Sequence, residues 1–184
     1  MCYNNDKKFY GTLGGVIMKG IIEILMDEHK EILKFVESLH KKCLIFMEED
    51  KISIQEFRDG IQFIREFADK AHHQKEEKVL FRAMMEHLGP TAEKLVKGGM
   101  LVEHDLARLH VSELEKAIQA YEENPNAENK LDILANAMGY CYLLKRHAMK
   151  EDEVVYPFAQ RALSSEVMEQ LDREAAEYMK ELEQ

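Results

Sequence analysis

His72-His73-Gln74-Lys75-Glu76-Glu77-Lys78-Val79-Leu80-Phe81 returns 75 residues later as His147-Ala148-Met149-Lys150-Glu151-Asp152-Glu153-Val154-Val155-Tyr156. His72-x3-Glu76 answers His147-x3-Glu151, and at the same offset Glu28-His29 answers Glu103-His104. Residues i and i+4 of an α-helix share a face, ~400° of turn and ~6 Å of rise apart, so each His-x3-Glu pair points one way. The surrounding stripes are apolar: Ala68, Val79, Leu80 and Ala83 for the first pair, Leu143, Leu144, Val154 and Phe158 for the second. His29 and His104 interrupt apolar stripes as well. Ionisable groups on a buried face are costly unless paired or bound to metal. Imidazole with carboxylate is a ligand set for first-row transition metals, and a duplicated set predicts two ions held by His29, His72, Glu76, His104, His147 and Glu151.

Counting charge and lone pairs sharpens this. Two divalent ions bring four positive charges; two bridging carboxylates return two, and a hydroxide or oxide bridge offsets more. Four neutral imidazoles, two per ion, leave a vacant position for an exogenous ligand such as dioxygen or nitric oxide. Zinc fits such ligands too. The remaining histidines fall outside the set. His110 is ~120° off the His104 face, and His40 lies ~16 Å along the axis from His29. His73 sits ~100° around the helix from His72 and is matched by Ala148, so His72 and Glu76 are preferred to the register His73/Glu77, which i,i+4 geometry serves equally well. Glu77, Asp152 and Glu153 read as solvated or supporting groups. Tyr140, seven residues before His147, reads as a core tyrosine bonded to backbone, ahead of a hydrogen-bonding role near the cluster.

Outward from these motifs, the chain reads as helices. Among 184 residues only 3 are proline and 9 glycine, while 46% are hydrophobic, enough for one domain with a sizeable core. Periodicity predicts helices over 20–47, 54–87, 100–123 and 127–162, and a last one ending near 182. Ser53 and Glu56 have capping-box spacing, Leu88-Gly89-Pro90 is a terminator, residues 91–97 form a short separate turn, and Pro157 is expected to kink its helix. The expected fold is all-α, an up-down-up-down four-helix bundle with a short extra C-terminal helix, its halves related by a pseudo-two-fold axis. Residues 1–19 are expected to be a tail, 20–162 the bundle, and 163–184 a helix packed on or extending it.

Composition excludes several classes. The net charge of −10 repels nucleic acid and anionic membranes. No run approaches the ~18 apolar residues of a membrane span. Cys2, Cys43 and Cys141 are odd in number and lack a Cys-x-x-Cys pair, which fits free thiols in a reducing compartment, so a cytoplasmic location is expected. Lys7-Lys8 and the stretch 9–18 have the outline of a signal peptide, but Lys19 interrupts the run and no small-x-small site follows. Met18-Lys19-Gly20 reads as a natural chain start. The acidic last helix reads as a solvated face.

On these residues, the chain resembles the hemerythrin-like, HHE cation-binding domain family over roughly residues 20–160. The order His29, His72-x3-Glu76, His104, His147-x3-Glu151 carries the resemblance, together with Glu28-His29, Glu76-Glu77 with Phe81, Glu103-His104, and Tyr156-Pro157 after Glu151. It implies a four-helix bundle around a non-haem di-iron centre, two irons per chain with an oxo or hydroxo bridge and both glutamates bridging. Iron stands ahead of zinc or manganese. Oxygen-carrying members have a further histidine four residues after the third-helix ligand, where this chain has Arg108. They also have Asp five residues after the last histidine, where this chain offers Glu151 and Asp152. The chain therefore resembles the four-histidine bacterial branch. Its expected function is to bind or sense oxygen, nitric oxide or peroxide at an open iron position. The alternatives are a di-iron redox enzyme (peroxide or nitric-oxide detoxification, iron delivery for repair) and an interaction module reporting iron status. No flavin, haem or nucleotide motif is visible, so turnover would need a redox partner protein.

Overall fold

Amphipathic helices joined by short connections bury their apolar stripes only against one another. In the structure, a computed structural model describing residues 11–13 and 16–183, four helices do this: α1 (Ile21–Glu49), α2 (54–88), α3 (90–123) and α4 (127–162). A fifth, α5 (Ser165–Leu182), follows. Residues 1–10 and 14–15 of the expected tail lie outside the described residues. Within that tail Gly11–Leu13 and Val16–Met18 pair as two short antiparallel strands, β1 and β2.

The helix ends have local causes. Ser53 Oγ accepts from Glu56 N, Asn126 Oδ1 from Asn129 N, and Ser164 Oγ from Val167 N, satisfying amide donors that a helix start leaves free. The chain from 54 to 123 is helical apart from one residue, Gly89, whose φ of 69° and ψ of −158° side-chain-bearing residues avoid. Pro90 then opens α3, where a missing amide costs nothing. Residues 91–97 are therefore the first turns of α3 rather than a separate element.

The helices are not uniformly α. Widened π-helical turns occupy Ile64–His73 and Glu76–Phe81 in α2, Val96–Met100 in α3 and Glu151–Val155 in α4. Just ahead of Pro157, where a kink is expected, the ladder widens: Glu151–Val155 is such a turn and Tyr156–Ala162 continues as α-helix. The amide that Pro157 lacks would have served Glu153 O, and the looser ladder accommodates its loss.

The buried apolar residues form two cores. One holds Ile32, Val36, Phe57, Ile61, Leu114, Ile118 and Ile133; the other holds Ile21, Leu25, Leu80, Phe81, Val96, Val155 and Tyr156. Along α1 and α3 the chain passes from the second core to the first, and along α2 and α4 it returns. That alternation is the up-down-up-down topology. On each of these four helices the change of core falls at the His or His-x3-Glu position. α5 closes the second end: Leu171 and Ala175 join its core, Asp172 Oδ1 accepts from Ile21 N at 2.7 Å, and the Tyr178 hydroxyl donates to Lys70 O at 2.6 Å. Cys43 and Cys141 are buried free thiols. Among the described residues no helix is long and apolar enough to cross a membrane.

Candidate metal centre

Between the two cores lies a polar layer. His29, His72, Glu76, His104, His147 and Glu151 all meet there, and all are buried. His73 meets them too. Where four histidines are expected, five share the layer: the His73 ring stacks on His104 with centroids 4.0 Å apart and planes 15° apart. The ~100° that separates neighbours on an α-helix does not hold inside the π stretch Ile64–His73, whose wider turn lets His72 and His73 both face inward. The same effect at Glu151–Val155 exposes Val154 and buries Val155 in its place. His40 and His110 stay outside the layer, the latter lying so close against Gly139 that a Cβ there would sit 2.4 Å from the ring.

Two groups of ligand atoms form. His29, His72, Glu76 and Glu151 each offer an atom within 4.8 Å of the others, and so do His73, Glu76, His104 and His147. The carboxylates link the groups. Glu76 Oε2 is 3.6 Å from His72 Nε2 and 3.5 Å from His104 Nε2. Glu151 Oε2 is 3.2 Å from His29 Nε2 and 3.1 Å from His147 Nε2, without hydrogen-bond alignment to either. One group thus has two histidines, the other three.

Behind each imidazole stands a carboxylate. His29 Nδ1 is 2.8 Å from Asp152, His72 Nδ1 2.9 Å from Glu28, His104 Nδ1 2.7 Å from Glu77, and His147 Nδ1 2.9 Å from Glu103. His73 Nδ1 faces Asp69 at 3.7 Å. With Nδ1–H as donor, each Nε2 presents the bare lone pair that a metal requires, and the carboxylate raises its basicity. Lys75 and Lys150 donate to the outer oxygens of Glu28 and Glu103. Arg108 donates to Asp69 at 2.8 Å and to Glu77 at 2.7 Å, so it clamps the two carboxylates that back His73 and His104. Glu77 and Asp152 are thus the supporting groups the sequence suggested, and Glu153 is exposed. Tyr140 differs from expectation: among the described residues its hydroxyl has no hydrogen-bond partner, on backbone or elsewhere, and it lines a cavity of about 120 Å³ with His73, Arg108 and Ala107.

The protonation of the metal-free layer follows from burial and these charges. Burial alone would lower His29 and His147. For His29 the carboxylates of Asp152 and Glu151 outweigh it and lift the group to about 9; for His147, Glu151 and Glu103 lift it to about 10. Burial and nearby histidine charge push His72 well down and His73 to about 3. Burial and Glu151 push Glu76 well above the usual carboxylate range, whereas His147 and His29 hold Glu151 well below it despite burial.

Whether this layer suits metal is decided by its orphaned atoms. Among the described residues, the buried side-chain atoms lacking a hydrogen-bond partner are His72 Nε2, both ring nitrogens of His73, Glu76 Oε2, both oxygens of Glu151, and the Tyr140 hydroxyl. All but the last belong to the layer. Leaving such groups unpaired in a protein interior is costly, and ions seated between the two cores would satisfy them together. Antiparallel helices with a buried layer of imidazoles and carboxylates define a cation-binding bundle.

The match to known families is specific. Residues 20–159 match the hemerythrin HHE cation binding domain, and the chain belongs to that family. No curated protein matches it.

Proposed function

We propose that this chain is a non-haem di-iron protein that takes up a small ligand (oxygen, nitric oxide or peroxide) at the ion held by His29 and His72. The observation that carries this reading is the unequal split of the buried ligands. His73, His104 and His147 with both carboxylates nearly complete one coordination shell, whereas His29 and His72 with the same carboxylates leave the other short. Iron is favoured because a nitrogen-rich, carboxylate-bridged pair suits its two oxidation states, while zinc would fill the same ligands without redox chemistry. When bound, the pair of irons would supply reversible electron transfer to such a ligand.

The chain's own residues prepare the site. Four carboxylates fix imidazole orientations from behind, Arg108 holds one of them, Glu77, together with Asp69, and the flanking cores keep bulk water out. Every histidine and glutamate of the layer would be occupied in holding the two ions, which would leave none as a free general base and favours binding or sensing over turnover. Free thiols at Cys43 and Cys141 support residence in a reducing, cytoplasmic setting.

The test is metal content per chain and the visible spectrum of protein purified without chelator, before and after exposure to air, nitric oxide and peroxide. About two irons, with a spectrum that responds to at least one of the three, is the expected result. A colourless protein with one zinc, or an iron-loaded one inert to all three, would overturn the reading.

A further inference from the structure

The repeat places an aromatic ring beside each group of histidines. Phe81 lies against His104, centroids 5.8 Å apart and planes 27° apart; its counterpart 75 residues on, Tyr156, lies against His29 at 5.5 Å and 14°. Both rings belong to the same core and both flank a ligand imidazole. Only one has a hydroxyl, and it is on the two-histidine side.

That hydroxyl is placed for polar work. Tyr156 is 1% exposed. Its oxygen donates to Glu76 Oε1 at 2.6 Å and lies 3.4 Å from His29 Nε2. It therefore borders the space that His29 Nε2 and Glu76 face, where the ligand count is lowest. A phenol has one proton and rotates about its C–O bond, so its hydrogen bond can leave one acceptor for another nearby at little cost. A phenylalanine would pack against His29 equally well, so packing alone leaves the hydroxyl unexplained.

We propose that Tyr156 is a ligand-positioning residue. Its hydroxyl rests on Glu76 and turns to donate a hydrogen bond to a small acceptor entering at the two-histidine position. The inference rests on the reading that this position is the open one. The ligands it fits are small and have an exposed lone pair, such as azide, peroxide anion or nitric oxide.

Azide on the iron-loaded full chain is the probe, with Tyr156→Phe as the variant. The variant should keep both irons and release azide about tenfold faster, as expected for loss of one hydrogen bond to a charged acceptor. The azide stretching frequency should shift in D2O for the wild type and not for the variant, a signature that a merely structural tyrosine would not move. Equal release rates and equal D2O shifts in the two proteins would overturn the inference while leaving azide uptake, and so the proposed function, standing. A tyrosinate charge-transfer band in the ferric wild type would also overturn it, by making Tyr156 a metal ligand itself. A wild-type centre that takes no azide would remove the open position and the inference with it.

Discussion

The two halves of the bundle, α1–α2 and α3–α4, share one plan at the polar layer and depart from it there at telling positions. Shared between them are His29 and His104, His72 and His147, Glu76 and Glu151, and the carboxylate–lysine pairs Glu28–Lys75 and Glu103–Lys150. Even the supporting contacts cross over in step: Glu77 backs His104, and Asp152 backs His29. Unshared positions at the layer include His73 against Ala148, Asp69 against Leu144, Arg108 against Leu33, and Tyr156 against Phe81. The common residues make two ligand groups; the differing ones make those groups unequal. His73, Asp69 and Arg108 are one device, since Arg108 holds the carboxylate that faces His73. Where oxygen-carrying relatives place a third-helix histidine, this chain has Arg108, and a second-helix histidine stands beside His104 instead.

The comparison can be broken most forcefully at a shared residue. Glu76 belongs to both ligand groups, so Glu76→Ala should cost both ions, whereas His73→Ala should cost only the one beside His104; metal analysis after gel filtration distinguishes these. Full metal removal by chelator should cost about 4 kcal/mol per ion at ~1,000-fold above its dissociation constant, hence about 8 kcal/mol for two, or about 20 °C in Tm by calorimetry. A Tm that chelation leaves unchanged would contradict the layer's role. Next in size is the contrast between the two lysines. Lys75 is 0% exposed where Lys150 is 41% exposed, although each pairs with the corresponding glutamate. Lys75→Ala should therefore destabilise by about 3 kcal/mol in urea unfolding, and Lys150→Ala by under about 1 kcal/mol. Equal costs would show the halves to be energetically alike.

The mildest effect is with pH. In the metal-free chain His29 at about 9 and His147 at about 10 stand above the ordinary 6.5. Groups raised in this way stabilise the fold fully below the unfolded value, and that contribution is lost as pH rises through the folded values. Metal-free protein should accordingly lose Tm between about pH 6.5 and 10, and the metal-loaded form should not share this trend. Loading at neutral pH should release protons, read with a pH indicator in weak buffer, and metal affinity should fall as pH falls.

Much of this was legible in the chain. The fixed offset of the His-x3-Glu motifs located the layer, and the cap at Ser53 and the break at Leu88-Gly89-Pro90 located helix ends; the caps at Asn126 and Ser164 emerged only from the structure. His73 was missed because face assignment assumed α-helical geometry throughout, and the π turns of α2 rotate the face by an amount that composition does not signal. The doublet His72-His73 was the available clue. Arg108 was legible as a non-ligand, but its hold on Asp69 and Glu77 joins α2 to α3 and has no local periodicity to betray it. Tyr156 was visible only as part of a motif; its bond to Glu76 spans 80 residues.

The polar layer also bears on folding. It separates two sets of apolar side chains that do not share a continuous interior, so each end of the bundle can collapse by itself. Without ions, the joint between them is a polar layer with several buried nitrogens and oxygens left unpaired, and the chain should melt in two stages. Ions would rivet the ends into one cooperative unit, making the number of unfolding transitions a property of the inorganic guest as much as of the polypeptide.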